Sequence, residues 1–196
     1  MLAALESVVV DKIVQCRPTH VIYQAIPDHV ARVAGLHWWG RHSPRYRLEI
    51  DGSVRQDGFF DDEGVSPGPI YEELQWQLSK SNISKWFQMR VRRVTDNDIE
   101  LFLAIVKASE RILRQKFPGC QFHVILWSIE PPVDTYRKVR DGLQAAGFQV
   151  HLVDDILPDY ISNPRQYEIS EYDRHPNARA NDMIAGYVTR RILGYN

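Results

Sequence analysis

Cysteine is scarce in this chain, neither sign of charge is in real excess, and no apolar run is long. Two cysteines among 196 residues, Cys16 and Cys120, make neither a disulfide framework nor a metal-binding spacing, so the fold has to be held by packing. We read both as free, buried thiols, one in a predicted helix and one before a predicted strand. Lys and Arg number 24 against 25 Asp and Glu, a net charge of −1. That balance removes the basic field expected of a partner for nucleic acid or an anionic membrane surface. No stretch approaches the roughly 20 apolar residues that a spanning helix needs.

The N-terminus also lacks the pattern of a secretory leader. Val8-Val9-Val10 has no basic residue ahead of it and is closed by Asp11 and Lys12. Leu2, Leu5, Val9, Ile13 and Val14 have amphipathic spacing, which predicts one helix entered in mid-domain. No compartment is assigned by the pattern.

What the chain does contain is ordinary globular material, 44% hydrophobic and 25% charged. Its length suits one domain with a real core. His20-Val21-Ile22-Tyr23-Gln24-Ala25 has the short apolar texture of a buried parallel strand, and residues 28–33 read as a connecting helix or turn. Residues 36–64 turn aromatic and turn-rich. Within them Tyr46 to Ile50 and Ser53 to Phe60 predict a hairpin about Asp51-Gly52, an insertion too short to bury its own core. Residues 70–92 read as helical. From there the order is a long amphipathic helix (97–117, capped by Asp96 or Asn97), a strand (122–127), a helix (133–146), a strand (150–153) and a last helix (178–193). Such alternation calls for a parallel sheet with helices on both faces.

The densest chemistry is Tyr172-Asp173-Arg174-His175-Pro176-Asn177, at the start of the last helix. An Asp two residues before a His suits a carboxylate that orients an imidazole acting as general base toward a hydroxyl. The structural reading is that Asp173 or Asn177 caps the helix, with Pro176 at its first position. Asp28 and His29 follow the first strand, as turn cap and packing residue or as site residues. His37, Trp38, Trp39, Arg41, His42, Arg45 and Arg47 form a cationic aromatic segment that fits a saccharide surface or an ordinary packed hairpin. His29, His37 and His42 have no recognised metal spacing, and Asp61-Asp62-Glu63 reads as a solvated turn. Ser53, in Asp51-Gly52-Ser53, falls in a hairpin turn rather than on a strand-to-helix elbow; Ser7, Ser43 and Ser66 have no better context.

The block from Tyr172 through Asn177, with Ala180, Ile184, Ala185 and Val188 behind it, resembles the last conserved block of the SGNH (GDSL-type) hydrolases. There Asp-x-His or Asp-x-x-His with Pro-Asn or Leu-Asn enters the final helix. The resemblance implies a flavodoxin-like three-layer α/β sandwich with a parallel sheet, a single domain over 1–196 with a hairpin insertion at 36–64. It implies Asp173 and His175 as the catalytic dyad. Asp28 and His29 fall at the family's oxyanion-hole block, with Asp28 where an Asn is usual and Ile26 where a Gly is usual. An ionised Asp accepts rather than donates, so this is a departure.

The family's Gly-Asp-Ser nucleophile block has no counterpart here. The chain therefore reads as a C-terminal portion lacking the first strands, with an exposed sheet edge open to association, and as inactive alone. The parent reaction would be ester hydrolysis or acyl transfer on a small acyl ester or acylated saccharide, with no cofactor and no metal. The alternative is a non-catalytic module that binds saccharide or protein through residues 36–60.

Overall fold

Three apolar runs far apart in the chain meet side by side in the computed structural model, which describes residues 1–7, 9–36, 40, 42–62, 94–128 and 134–195. Contacts divide the chain into two compact units, Met1–Ile13 with Asp28–Ile112, and Val14–Pro27 with Leu113–Asn196. The architecture is mixed α/β, with a three-stranded parallel sheet and a separate two-stranded antiparallel one.

The first unit opens with two short helices, α1 (Leu2–Glu6) and α2 (Val9–Ile13). This corrects the single predicted helix. Ser7 adopts an extended conformation (ψ 165°), and its hydroxyl takes the Ala4 carbonyl, which ends the first turn run early. After α3 (Asp28–Val33) come β2 (Pro44–Leu48) and β3 (Val54–Phe59). The hairpin forms, as its Asp-Gly signal predicted, and stands outside the parallel sheet. Its loop is longer than a two-residue turn: Glu49 N–H bonds the Ser53 carbonyl at 2.9 Å, and Gly52 takes a φ of +77° inside the three intervening residues. Asp57 accepts from both Arg45 (3.1 Å) and Arg47 (2.7 Å), which fastens the two strands.

The long helix α4 (Asp96–Lys116) begins one residue earlier than predicted. Its cap is Thr95 rather than Asp96 or Asn97. The Thr95 hydroxyl accepts from Asp98 N–H (3.3 Å) while the Asp98 carboxylate accepts from Thr95 N–H (2.8 Å), a reciprocal capping box. Around this helix the core of the first unit gathers Leu2, Tyr46, Ile105 and Ala108, with Val33, Val54, Leu101 and Ile112 packed on it. Tyr46 reaches Glu6 at 2.6 Å, and burial, reinforced by that carboxylate, pushes its phenol well above its usual range.

In the second unit, β1 (His20–Ala25), β4 (Gln121–Leu126) and β5 (Gln149–Leu152) are parallel neighbours in that order. Parallel neighbours need a crossover, and α5 (Asp134–Ala145) lies between β4 and β5 in the chain. Gly147, at φ +82°, turns the chain after α5. Val124, Ile125 and Leu126 of the central strand are fully buried. One face carries Ile125, Trp127 and Val153 against Tyr167, Ala180 and Ile184; on the other, Phe148 packs edge-on against Phe122.

Beyond β5 lie α6 (Val153–Ile156), a 3-10 turn at Pro164–Tyr167, α7 (Ala178–Tyr187) and a π-helical turn at Val188–Ile192. The predicted last helix thus changes pitch at its end, where Leu193 N–H reaches back to the Val188 carbonyl at 2.9 Å. Cys120 is buried, but Cys16 is exposed; it falls after α2 has ended rather than within a helix. Residues 70–92, predicted helical, lie outside the described residues. Among the described residues no helix is long and apolar enough to cross a membrane.

Truncating Ile125 to Ala removes a side chain enclosed on all sides and should cost about 2–5 kcal/mol of unfolding free energy. Ile161→Ala, at a half-exposed position, should stay within about 0.5 kcal/mol of wild type. Urea denaturation monitored by circular dichroism checks both.

Candidate acid–base site at the start of the last helix

Asn177 is the residue on which this site is built. Its carbonyl oxygen accepts from Ala180 N–H at 3.0 Å, which caps α7. Its amide nitrogen donates to the carbonyls of Gln166 (3.0 Å) and Glu168 (3.1 Å), and its backbone N–H bonds Tyr167 O at 2.8 Å. Asn177 therefore ties the helix start to the 3-10 turn before it. Asn177 is the cap and Pro176 stands just before it, rather than at the first helical position, which Ala178 takes. Beneath the clamp, Tyr167 is buried with its hydroxyl on Pro158 O (2.6 Å), and the Arg179 guanidinium sits 5.3 Å from its ring centre.

Residues 168–176 close into a small loop above this anchor. Glu168 and Pro176 form an antiparallel bridge, Ile169 N–H donates to His175 O (3.0 Å), and Ser170 N–H donates to Asp173 O (3.0 Å). The Ser170 hydroxyl accepts from the N–H groups of Tyr172 (3.3 Å) and Asp173 (3.0 Å), holding the tip. The outcome is that Asp173 Oδ1 accepts the His175 backbone N–H at 3.0 Å and lies 2.6 Å from His175 Nδ1. The carboxylate can only accept, so Nδ1 carries the proton toward it and Nε2 points its lone pair elsewhere. The pair is open to solvent, with side-chain exposures of 84% for His175 and 46% for Asp173. The His175 backbone N–H first, and its ring second, hold the Asp173 carboxyl below its usual range.

Chemically, this is a carboxylate-oriented imidazole on a fixed loop, able to take a proton from a hydroxyl brought to Nε2. Among the described residues no serine is bonded to it; the partners of His175 are Asp173 and the loop backbone. Ser53 is a turn residue, its N–H on Asp51 Oδ1 at 2.9 Å. Ser7 bonds the Ala4 carbonyl, and Ser66 lies outside the described residues. Asp28 and His29 belong to the first unit, in the first turn of α3. Asp28 accepts from Arg32 Nε at 2.9 Å. Burial, with Arg32 adding to it, lowers His29 to about 4. A His29 ring kept neutral retains one N–H to donate.

Other candidates resolve differently. His42 pairs with Asp61 at 2.5 Å, and Asp62 accepts from Phe59 N–H at 2.7 Å. His37, Trp38, Trp39, Arg41 and Glu63 lie outside the described residues. Among the described residues no group of three or more His, Cys, Asp or Glu side chains is arranged to hold a metal.

The sequence reading missed three polar contacts, two of them at this site. Ser170 and the double donation by Asn177 are local polar contacts whose signal, a Ser and an Asn spaced around Asp-x-His, becomes specific only once the loop closes. The third is Ser128, buried just past the C-terminal end of β4, whose hydroxyl donates to Asp154 in the first turn of α6, just after β5. Ligands of open parallel sheets gather at that edge, yet Ser128 is bonded to a carboxylate rather than to an imidazole.

No family model matches this chain, and no curated protein or solved structure matches it either.

Replacing Asn177 by Ala should cost about 1–3 kcal/mol, because a cap and two donated bonds are lost together. Asn177→Asp keeps the cap acceptor but turns a carboxylate toward two carbonyls, so it should not recover that loss in urea denaturation. For Asp173, His175→Ala should move the carboxyl only part of the way back up toward its ordinary value, since the backbone N–H remains. Carboxyl carbon NMR across pH 2–6 reads this; a complete return would show that the ring alone lowers it.

Proposed function

We propose that the chain carries the acid–base portion of an SGNH-type serine hydrolase acting on small acyl esters, free or borne on a saccharide. The observation that carries this reading is the 2.6 Å approach of Asp173 Oδ1 to His175 Nδ1 on an exposed loop entering the last helix. In this role Asp173 holds the ring in the tautomer whose Nε2 takes the proton of an attacking serine hydroxyl, and it stabilises the imidazolium that follows. His175 then returns the proton to the leaving alcohol, and a water repeats the sequence to free the acid. The serine would come from a Gly-Asp-Ser segment that the 196 residues do not contain.

The strand order lends support. A flavodoxin-like sheet of order 2-1-3-4-5 keeps its last three strands as consecutive neighbours, which is the relation of β1, β4 and β5. Asp28 and His29 follow the C-terminal end of β1 in the chain, where the family carries its oxyanion block. By residue type, an ionised Asp can only accept, whereas a neutral His can donate.

Purified as it stands, the chain should hydrolyse short-chain nitrophenyl esters no faster than its His175→Ala variant. Joined to a segment that supplies Gly-Asp-Ser on a strand-to-helix turn, it should gain esterase activity. That activity should then fall by on the order of 10⁴-fold or more with either Asp173→Asn or His175→Ala, because such groups act as a unit. His175-dependent turnover by the chain alone, or a gained activity indifferent to His175, would sink the proposal.

A further inference from the structure

Three histidines from three strands form one diagonal row across the parallel sheet. His123 stands opposite Ile22 on one side and Gln149 on the other, so His20 and His151, each two residues along, flank it on the same face. The His20 and His123 rings stack with centroids 5.5 Å apart, and His123 and His151 lie 5.4 Å apart. His123 Nδ1 is 3.1 Å from His151 Nε2, and His151 Nδ1 is 2.9 Å from the Tyr187 hydroxyl on α7. His123 is 2% exposed, and its Nε2 has no hydrogen-bond partner among the described residues.

The row has room for a fixed number of protons. If His123 Nδ1–H donates to His151 Nε2, then His151 Nδ1–H donates to the Tyr187 oxygen, and His123 Nε2 is left as a bare lone pair. The reversed tautomers leave a buried N–H without an acceptor, which costs more than an unused lone pair. One further proton makes a buried imidazolium. The groups facing the pair are His20 from β1 and Tyr187 from α7, neither an anion; His20 itself bonds Thr19. Among the described residues no carboxylate pairs with any of the three rings.

We propose that this row is an acid-sensitive clasp on the last helix: a proton taken up at the bare His123 Nε2 makes an imidazolium enclosed without an anion, a cost relieved when Tyr187 lets go and α7 with the π-helical turn loosens from the sheet and admits water. The same sheet face holds Ile125, Trp127 and Val153 against Ala180 and Ile184, so a charge there opposes packing that is otherwise apolar. Burial lowers both rings below their usual range, and for His123 the other two histidines add to it. The open form therefore binds the proton more readily. Helix docking is at full strength above the ordinary histidine value of about 6.5 and weakens as pH falls below it. This inference does not depend on the ester-hydrolase reading, and its test reads no activity.

The test follows amide hydrogen exchange of residues 178–192 from pH 7.5 to 5, expressed as protection factors, beside imidazole NMR of the same protein. Protection should fall by up to about tenfold per pH unit for each proton taken up, and the His123 and His151 ring signals should change in the same window. In the His123→Gln/His151→Gln double variant the fall should flatten. Protection that stays flat in the wild type down to pH 5 overturns the proposal, as does an equal fall in the double variant. Should that variant not fold, the wild type decides alone: rings that titrate while residues 178–192 stay protected refute the clasp.

Discussion

Burial of the central strand β4 is the constraint from which the second unit follows. Phe122 to Leu126 leave water on both faces of the strand at once, which a parallel pairing on each side permits only if other elements cover both faces. β1 and β5 supply the backbone partners, and the chain must then cross over and cover what the strands expose. α7 answers on one face through Ala180 and Ile184, and burying a side chain the size of Ile184 contributes about 1.5–3 kcal/mol. Because α7 is docked in this way, its first turn is held still, and whatever precedes that turn can be positioned with it.

The Asp173–His175 pair draws on that rigidity. A solvated carboxylate–imidazole pair by itself contributes little, and neither side chain is enclosed. What orders the pair is the backbone around it, through Asn177 below and Ser170 at the tip, both of which use hydroxyl or amide groups on carbonyls and N–H groups that a tight loop would otherwise leave open. Buried Tyr167 joins this loop to the core. The pair is on the outside, and its support is inside.

The same core contains a polar row that packing alone does not call for. Phe, Ile or Val at position 123 would satisfy a buried parallel strand, yet the chain places a histidine there with one ring nitrogen unpartnered among the described residues. Its bonded neighbours reach α7 through Tyr187. The helix that steadies the exposed dyad is thus held by apolar burial and by imidazoles that tolerate no extra charge.

Much of this was readable along the chain. Apolar runs bounded by Gly and Pro marked the strands, because a residue's preference for water or core acts position by position. Asp-x-His before a helix marked the dyad, because both groups sit within one turn and meet without help from distant residues. Boundaries were less readable where short-range bonds compete with the helix, as at Ser7, at Thr95 with Asp98, and at the π-turn after Tyr187. Residue type predicts a buried Cys16, while exposure is decided by what packs nearby. The clamp of Asn177, the Ser128–Asp154 bond and the histidine row could be seen only in three dimensions. Sequence determined the periodicities and the local acid–imidazole pair, since those depend on neighbours a few residues apart. The register of β1, β4 and β5 decided the rest: 103 positions separate Gln24 from Trp127, and only strand pairing brings such residues onto one face.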